Sequence, residues 1–186
     1  MIGFAITGSF CTILDAISVI ERMTQKGYDI LPIMSYNAYD TDTRFGSAIE
    51  VREKVLKTTN KEIINSIVNA EPLGPKIKLE AMVICPCTGN TLAKIANGIT
   101  DTPVCMAAKA HLRNNSPLII ALATNDALSG NLKNIATLLS RKNVYFVPMR
   151  QDDPETKPHS LVADFDLIEE TLTLALKGKQ YAKLFI

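Results

Sequence analysis

Met82-Val83-Ile84-Cys85-Pro86-Cys87-Thr88-Gly89-Asn90-Thr91 is the stretch of sequence that decides the fold. Its first residues are apolar and partly β-branched, which favours a strand. We expect this strand to end at Pro86, because a proline does not continue a central strand. Polar residues follow, and then apolar residues recur at helical spacing from Leu92 to Ile99. The stretch therefore predicts a strand, a polar turn and a helix.

The turn of this unit has the residues of a ligand-binding helix start. Thr88, Asn90 and Thr91 favour a helix N-cap, and Gly89 lets the backbone approach a ligand closely. The first amides of the helix lack internal partners and carry the positive end of the helix dipole. Such a turn suits an anion or a polar ring edge, although an ordinary loop between strand and helix has the same composition.

Length and composition indicate one globular domain that spans residues 1–186. Hydrophobic residues make up 47% and charged residues 21% of the chain, which is typical of a soluble protein with a sizeable core. The net charge of +1 gives no indication of nucleic acid or an anionic membrane as partner. No apolar run reaches the roughly 18 residues of a membrane span, and no signal peptide is recognisable, so we expect a cytoplasmic protein.

Four cysteines are present, and their spacing does not indicate a metal site. They are Cys11, Cys85, Cys87 and Cys105. No pair has Cys-x-x-Cys spacing, and both histidines lie elsewhere in the sequence. We expect packed, reduced thiols, Cys11 included, although a position in the first turn of a helix could lower the pKa of Cys11.

A second strand, turn and helix unit begins the chain. Ile2 to Ile6 reads as a buried strand, Thr7-Gly8-Ser9 as its turn, and the apolar spacing predicts a helix that Gly27 stops. Turns with a glycine and a hydroxyl residue at a helix start bind phosphate through backbone amides. The spacing matches neither a Walker loop nor Gly-x-Gly-x-x-Gly.

Strands and helices alternate along the remaining sequence. Further strands are predicted at 29–34, 118–122 and 144–147, helices at 48–56, 63–68, 91–97, 104–113, 131–139 and 161–176, and irregular segments at 36–45 and 151–160. This alternation predicts an α/β protein with a mostly parallel sheet of five or six strands, covered on both faces.

In such sheets ligands bind at the carboxyl ends of the strands. Five polar segments should meet there: Thr7-Gly8-Ser9, Ser35 with the loop after it, Cys87 to Thr91, Thr124-Asn125-Asp126, and Arg150 onward. This convergence favours a phosphate-bearing cofactor or a polar metabolite over a purely structural fold.

Several of these segments resemble a known flavoprotein family. It includes phosphopantothenoylcysteine decarboxylase, lantibiotic peptidyl-cysteine decarboxylases and flavin prenyltransferase. The similarity lies in Ile6 to Ser9, in Ser35, and in Pro86 to Gly98, which is similar to the family's Pro-Ala-Ser-Ala-Asn-Thr segment and the helix after it. The resemblance implies a flavodoxin-like, three-layer αβα fold and FMN as cofactor.

Within that family the sequence resembles most the branch whose members form dipicolinate (pyridine-2,6-dicarboxylate) in bacterial sporulation. Thr43-Arg44-Phe45-Gly46, Ala70 to Ile77, Thr124 to Leu128 and Asn143 to Pro148 carry this similarity. It implies oxidation of a dihydrodipicolinate-type ring together with an A subunit that binds NADP or NAD. It also implies a trimer-based homo-oligomer in the cytoplasm of the mother cell.

The resemblance also assigns candidate site residues. FMN would lie against Thr7, Gly8, Ser9 and Ser35 and against Pro86, Thr88, Gly89, Asn90 and Thr91. From their own chemistry, Arg44, Asn125 and Arg150 are candidates for binding the dicarboxylate substrate, although Arg44 could equally be a solvated loop arginine. Asn90 and Asp126 are the candidate catalytic residues, although Asp126 could simply cap the next helix. Because Arg44 and Arg150 follow strands that should lie far apart, the two could share a site only between subunits.

Two departures from the family bear on the reaction. The decarboxylases place a catalytic histidine after the second strand, and residues 35–47 contain none. Ala123-Thr124-Asn125-Asp126 replaces their later Pro-x-Met-Asn segment. Lys109, His111 and His159 are better explained as surface or structural residues. The alternatives are an FMN-dependent decarboxylase or prenyltransferase, and a non-catalytic scaffold for the A chain.

Overall fold

A computed structural model describes all residues 1–186. Its strands are β1 (Ile2–Ile6), β2 (Ile30–Met34), β3 (Ala81–Cys87), β4 (Leu118–Thr124), β5 (Val144–Phe146), β6 (Met149–Arg150) and β7 (Leu161–Ala163). Its α-helices are α1 (Ile13–Gln25), α2 (Tyr36–Asp40), α3 (Ala48–Thr59), α4 (Ile67–Ala70), α5 (Gly89–Ala96), α6 (Pro103–Leu112), α7 (Leu132–Leu139) and α8 (Ile168–Ala175). None of the helices is both long and apolar enough to cross a membrane.

The strands form one mostly parallel sheet with β2, β1, β3 and β4 side by side. The first half of β4 pairs in parallel with β5, and its last two residues pair antiparallel with β7, which in turn pairs with β6. Every residue of β1 and β3 is buried, because helices cover both faces of the sheet. The flavodoxin-like three-layer fold is confirmed, with seven strands where five or six were predicted.

The additional strands correct the prediction of one helix over residues 161–176. Leu161 and Ala163 are buried, and residues 161–162 pair with the end of β4. The helix itself begins only at Ile168, after a short 3-10 turn. The helical spacing of apolar residues across 161–168 was therefore misleading, because residues 161–163 form a short strand. The segment 151–160 connects this strand to β6, with which it pairs antiparallel.

Two smaller differences lie on either side of α3. Residues 36–45 are not wholly irregular, because Ser35 caps α2 by accepting a hydrogen bond from the Ala38 amide. Residues 63–66 are not helical, because Ile64 forms a parallel bridge with Ile33. The helix predicted at 63–68 is reduced to the short α4.

Pro86 does not end the central strand, contrary to the prediction. β3 continues to Cys87, which pairs with Leu122 of β4. The register shifts between Ile84 and Cys87, and the pairing with β1 ends at Ile84. Since a proline lacks the N–H that a regular ladder needs, it is accommodated where the ladder is already interrupted.

Candidate functional site

The site lies where the order of strands reverses. The chain runs from β1 outward to β2 and then returns to place β3 on the other side of β1. The connections therefore leave β1 and β3 in opposite directions, and a crevice opens at their carboxyl ends. Gly8 and Thr88, which come just after these two strands, face each other across this crevice and line both clefts described below.

Thr7 fixes the two strand ends relative to each other. Its amide and its hydroxyl both donate to the Pro86 carbonyl oxygen, at 3.2 and 2.7 Å, and its Oγ1 accepts from the Thr88 amide at 2.9 Å. Both Thr7 and Pro86 are buried. These two predicted cofactor residues therefore position the turns that line the crevice, and neither lines a cleft itself.

The first cleft, which we call the Ser35 cleft, has a volume of about 460 Å³. It is lined by Gly8, Ser35, Tyr36, Asn37, Thr88, Asn90, Thr91, Lys94, Asp101 and Thr102. The Gly8 amide has no hydrogen-bond acceptor within the chain, and the Ser35 Oγ that caps α2 retains its own proton to donate. The cleft is thus rich in hydrogen-bond donors, and most of its predicted residues come from the two strand, turn and helix units.

One cation lies in the Ser35 cleft. Lys94 on α5 is paired with Asp101 at 2.8 Å, and its side chain is only 22% exposed. Thr88 caps α5 by accepting from the Thr91 amide at 3.2 Å, while Asn90 in the same turn is exposed. The cap orients the first turn of α5 so that Asn90 is available to a ligand and Thr91 is largely buried.

The second cleft, which we call the Arg44 cleft, has a volume of about 540 Å³. Its lining includes Ser9, Cys11, Thr12, Arg44, Phe45, Thr124, Asn125, Asp152 and Lys157, besides the shared Gly8 and Thr88. The Arg44 guanidinium lies 4.8 Å from the centre of the Phe45 ring and forms no ion pair within the chain. A cation that is stacked but unpaired is available to an anionic ligand.

Gly89 packs against a polar network that supports the start of α5. A Cβ at this position would lie 2.5 Å from Asn131 Nδ2, 2.6 Å from Thr124 Oγ1 and 2.7 Å from Asp126 Oδ1. Asp126 connects the other two residues by hydrogen bonds. Thr124 Oγ1 donates to Asp126 Oδ1 at 2.6 Å, and Asn131 Nδ2 donates to Asp126 Oδ2 at 2.8 Å. Both oxygens of Asp126 are therefore engaged in holding the loop, and Asp126 lines neither cleft.

The two predicted substrate arginines lie in different clefts. Arg44 lies beside Gly8 and Ser9, as the sequence suggests. Arg150 lies on the antiparallel β6, is 3.7 Å from Asp164, and lines a separate cleft that β7 forms with α1. Asn125 lines the Arg44 cleft. Within one protomer, Arg44 and Asn125 are thus the predicted substrate residues that the structure brings together.

Sequence reasoning missed several polar residues of the clefts, among them Asn37, Lys94 and Lys157. Asn37 lies beside Gly8, and a Cβ on Gly8 would be 3.2 Å from its Cβ. Lys94 stands one helical turn after Asn90 on α5, and this spacing could have indicated that the two share a face of the helix. Lys157 enters the Arg44 cleft only because β6 and β7 pair antiparallel and turn their connection back over the sheet edge, which local sequence patterns do not reveal.

The histidines lie outside both clefts. His111 is buried in α6, where its Nε2 donates to the Pro117 carbonyl oxygen at 2.9 Å, and burial lowers the pKa of its ring. His159 is exposed on the connection between β6 and β7. No group of three or more histidine, cysteine or acidic side chains is arranged to hold a metal ion.

The cysteines differ in exposure, and the prediction that Cys11 is buried was wrong. Cys11 is exposed and lines the Arg44 cleft, because the turn after β1 continues into a short 3-10 helix that projects from the sheet edge. Cys85, Cys87 and Cys105 are buried, and desolvation raises the pKa of each thiol.

This difference predicts the thiol reactivity of the folded protein. With a chromogenic disulfide reagent near pH 8, we expect one thiol to react quickly and the other three to react only after denaturation, because the thiolate is the nucleophile. Cys11→Ser should remove the fast phase and leave the slow one unchanged. Fast reaction of a second thiol in the folded protein would contradict the burial described above.

Comparison with known proteins places the chain in a family. The family model described as Flavoprotein matches residues 1–169. The chain belongs to this flavoprotein family. It is 46% identical over 185 residues to the B subunit of dipicolinate synthase from Bacillus subtilis, a match that covers all of this chain and 92% of that protein.

Solved structures agree with this relationship. The B subunit of dipicolinate synthase from Bacillus halodurans superposes with a TM-score of 0.91 at 44% identity, covering all of this chain and 95% of that one. The FMN-dependent cysteine decarboxylase SpaF superposes with a TM-score of 0.71 at 20% identity, covering 95% of this chain and 94% of that one. The first likeness extends to sequence, whereas the second concerns the fold.

Proposed function

We propose that the chain acts as the B subunit of dipicolinate synthase. In this role it takes part in oxidising a dihydrodipicolinate-type ring to dipicolinate, together with an A subunit that binds NADP or NAD. The observation that carries the proposal is the 46% identity to the Bacillus subtilis protein over the whole length of this chain. By resemblance to the family we also propose a trimer-based homo-oligomer and a place in the cytoplasm of a sporulating mother cell.

FMN fits the Ser35 cleft. The Gly8 amide and the Ser35 hydroxyl are free donors there, Lys94 contributes a cation, and no side chain at Gly8 narrows the cleft. We place the phosphate beside Gly8 and Ser35 and the ring towards Asn90 and Thr88. When bound, FMN supplies hydride transfer.

The substrate fits the Arg44 cleft. Gly8 and Thr88 border both clefts, so a ring held beside Arg44 would lie next to a ligand of the Ser35 cleft. Arg44 would bind one carboxylate through two parallel hydrogen bonds, and Asn125 offers an amide to the same ligand. The chain's own contribution is to bind and orient the dicarboxylate.

Cofactor binding can be tested by replacing Gly8. Its φ is not in the left-handed region, so the expected effect of Gly8→Val is steric: a Cβ would already lie 3.2 Å from Asn37 Cβ, and valine adds two methyl groups at the cleft. We expect at least tenfold weaker FMN binding by fluorescence titration. Equal affinity in both proteins, or no FMN binding by the unmutated chain, would count against the Ser35 cleft as the FMN site.

The need for a partner is a second prediction. Neither histidine lines the clefts, both oxygens of Asp126 are engaged, and the carboxylate of the Arg44 cleft, Asp152, is paired with Lys157, so no unpaired acid or base with an evident catalytic role faces this cleft. We therefore expect little dipicolinate from this chain with substrate and a nicotinamide, and full formation once the A chain is added. Absorbance of the aromatic product measures it, and rapid turnover by the chain alone would contradict this.

The alternatives lead to different outcomes of the same experiment. A decarboxylase or prenyltransferase would bind FMN and act without the A chain. A scaffold would restore dipicolinate formation without FMN, even when Arg44 or Asn90 is replaced. No histidine lines either cleft, which counts against decarboxylation and against any other reaction that needs a histidine base.

A further inference from the structure

A second cation, Lys157, lines the Arg44 cleft. Arg44 comes from the loop between α2 and α3, whereas Lys157 comes from the connection between β6 and β7. Gly8, Thr88 and Asn125 line the same cleft. The two cations therefore reach one cleft from segments more than a hundred residues apart in sequence.

Hydrogen bonds hold the connection that carries Lys157. Its amide donates to the Asp153 carbonyl at 2.8 Å, and its carbonyl accepts from the Ser160 amide at 3.0 Å. Gln151 spans the base of the connection by donating to the Pro158 carbonyl at 2.8 Å. The Leu128 amide, next to the loop that follows β4, donates to the His159 carbonyl at 2.9 Å. Lys157 is thus presented by an ordered turn.

The ammonium group of Lys157 is only partly satisfied. It donates to Asp152 Oδ2 at 3.0 Å, its side chain remains 49% exposed, and Asp152 is the one acidic residue that lines this cleft. An ammonium group has three protons to donate. The bond to Asp152 raises the pKa of Lys157, so the group is charged at neutral pH and has donors left for a ligand.

We propose that Lys157 binds the second carboxylate of the substrate, opposite the carboxylate that Arg44 binds, and so makes the cleft specific for dicarboxylates. This rests on the proposed function, because it takes the planar ring dicarboxylate as the ligand. The ring would lie beside Thr88 and Asn125, with one carboxylate towards each cation. Asp152 accepts one hydrogen bond from Lys157 and so competes with the ligand for its protons.

The proposal predicts a loss of discrimination between two ligands. Lys157→Met should weaken binding of pyridine-2,6-dicarboxylate about tenfold or more, and leave binding of pyridine-2-carboxylate, which has one carboxylate for Arg44, unchanged. Lys157→Arg keeps the charge and should retain most of the preference. Lys109→Met, which removes an exposed lysine on α6, is the matched control and should change neither affinity.

Asp152→Asn separates ligand binding from a structural role. If the ion pair of Lys157 only stabilised the turn, Asp152→Asn and Lys157→Met would weaken dicarboxylate binding alike. If Lys157 binds the ligand, removing the competing carboxylate should leave the affinity equal or higher. Calorimetric titration of the full-length chain with both ligands, with melting temperatures for each variant, gives the comparison.

The outcomes are distinct. A preference of the unmutated chain for the dicarboxylate that Lys157→Met abolishes supports the proposal. The same preference in both proteins, or equal losses in Lys157→Met and Asp152→Asn, overturns the role of Lys157 and leaves the proposed function standing. No preference in the unmutated chain overturns both the dicarboxylate as ligand and Lys157 as its partner.

Discussion

Gly89→Ala is expected to destabilise the protein, although alanine normally stabilises a helix relative to glycine. The new Cβ would come within 2.5–2.7 Å of polar atoms of Asn131, Thr124 and Asp126, and Asp126 accepts hydrogen bonds from the other two side chains. Overpacking of this kind costs about 1–3 kcal/mol, which lowers the melting temperature of a domain of this size by roughly 2–12 °C. Because the network supports the turn that carries Asn90, FMN binding should weaken as well.

Gly130→Ala is the matched control for this prediction. Gly130 lies in the loop that carries Asp126 and Asn131, but a Cβ there would be 3.8 Å from its nearest neighbour, Asp126 Oδ2. The melting temperature and the FMN affinity of Gly130→Ala should therefore match those of the unmutated protein. If Gly89→Ala melts at the same temperature as the unmutated protein or above it, the hydrogen-bonded side chains rearrange around the new Cβ without a loss of stability, and the prediction is wrong.

The fold could be predicted wherever a segment carries its own signal. β1, α1 and β4 lie close to their predicted bounds, since long apolar runs and helical spacing are local properties. Pro86 and Leu161–Ala163 could not be assigned correctly, because their state depends on neighbours. Pro86 stays in a strand where the ladder is interrupted, and Leu161–Ala163 forms a strand because the end of β4 offers it a partner.

The candidate site, like the fold, could be predicted from the sequence only in part. Gly8, Ser35, Thr88 and Asn90 meet because each follows a parallel strand, and parallel strands end on one edge. Arg150 does not join them, because the chain reverses direction between β6 and β7, and β7 then lies between β4 and β6 in the sheet. For the same reason Lys157 returns to the edge. The position of both residues follows from an antiparallel pairing that the alternation of strands and helices does not indicate.

Arg44→Lys is expected to raise the KM for the substrate without changing the fold. The Arg44 guanidinium makes no ion pair within the chain and stacks on Phe45 at 4.8 Å, so its two-pronged face is free for a carboxylate. Lysine keeps the charge but cannot form two parallel hydrogen bonds to one carboxylate. Loss of a charge-assisted bond costs about 1.5–3 kcal/mol, or roughly ten- to more than a hundredfold in affinity.

Steady-state kinetics of the chain reconstituted with the A subunit would measure this effect, with a thermal melt of each protein. Arg141→Lys provides the control, because Arg141 is exposed, forms no ion pair and lines neither cleft. Arg44 is also exposed, so the melting temperature should stay the same in both variants while only Arg44→Lys changes KM. If KM and melting temperature are both unchanged in Arg44→Lys, Arg44 does not bind the substrate, and the cleft must hold its ligand by other groups.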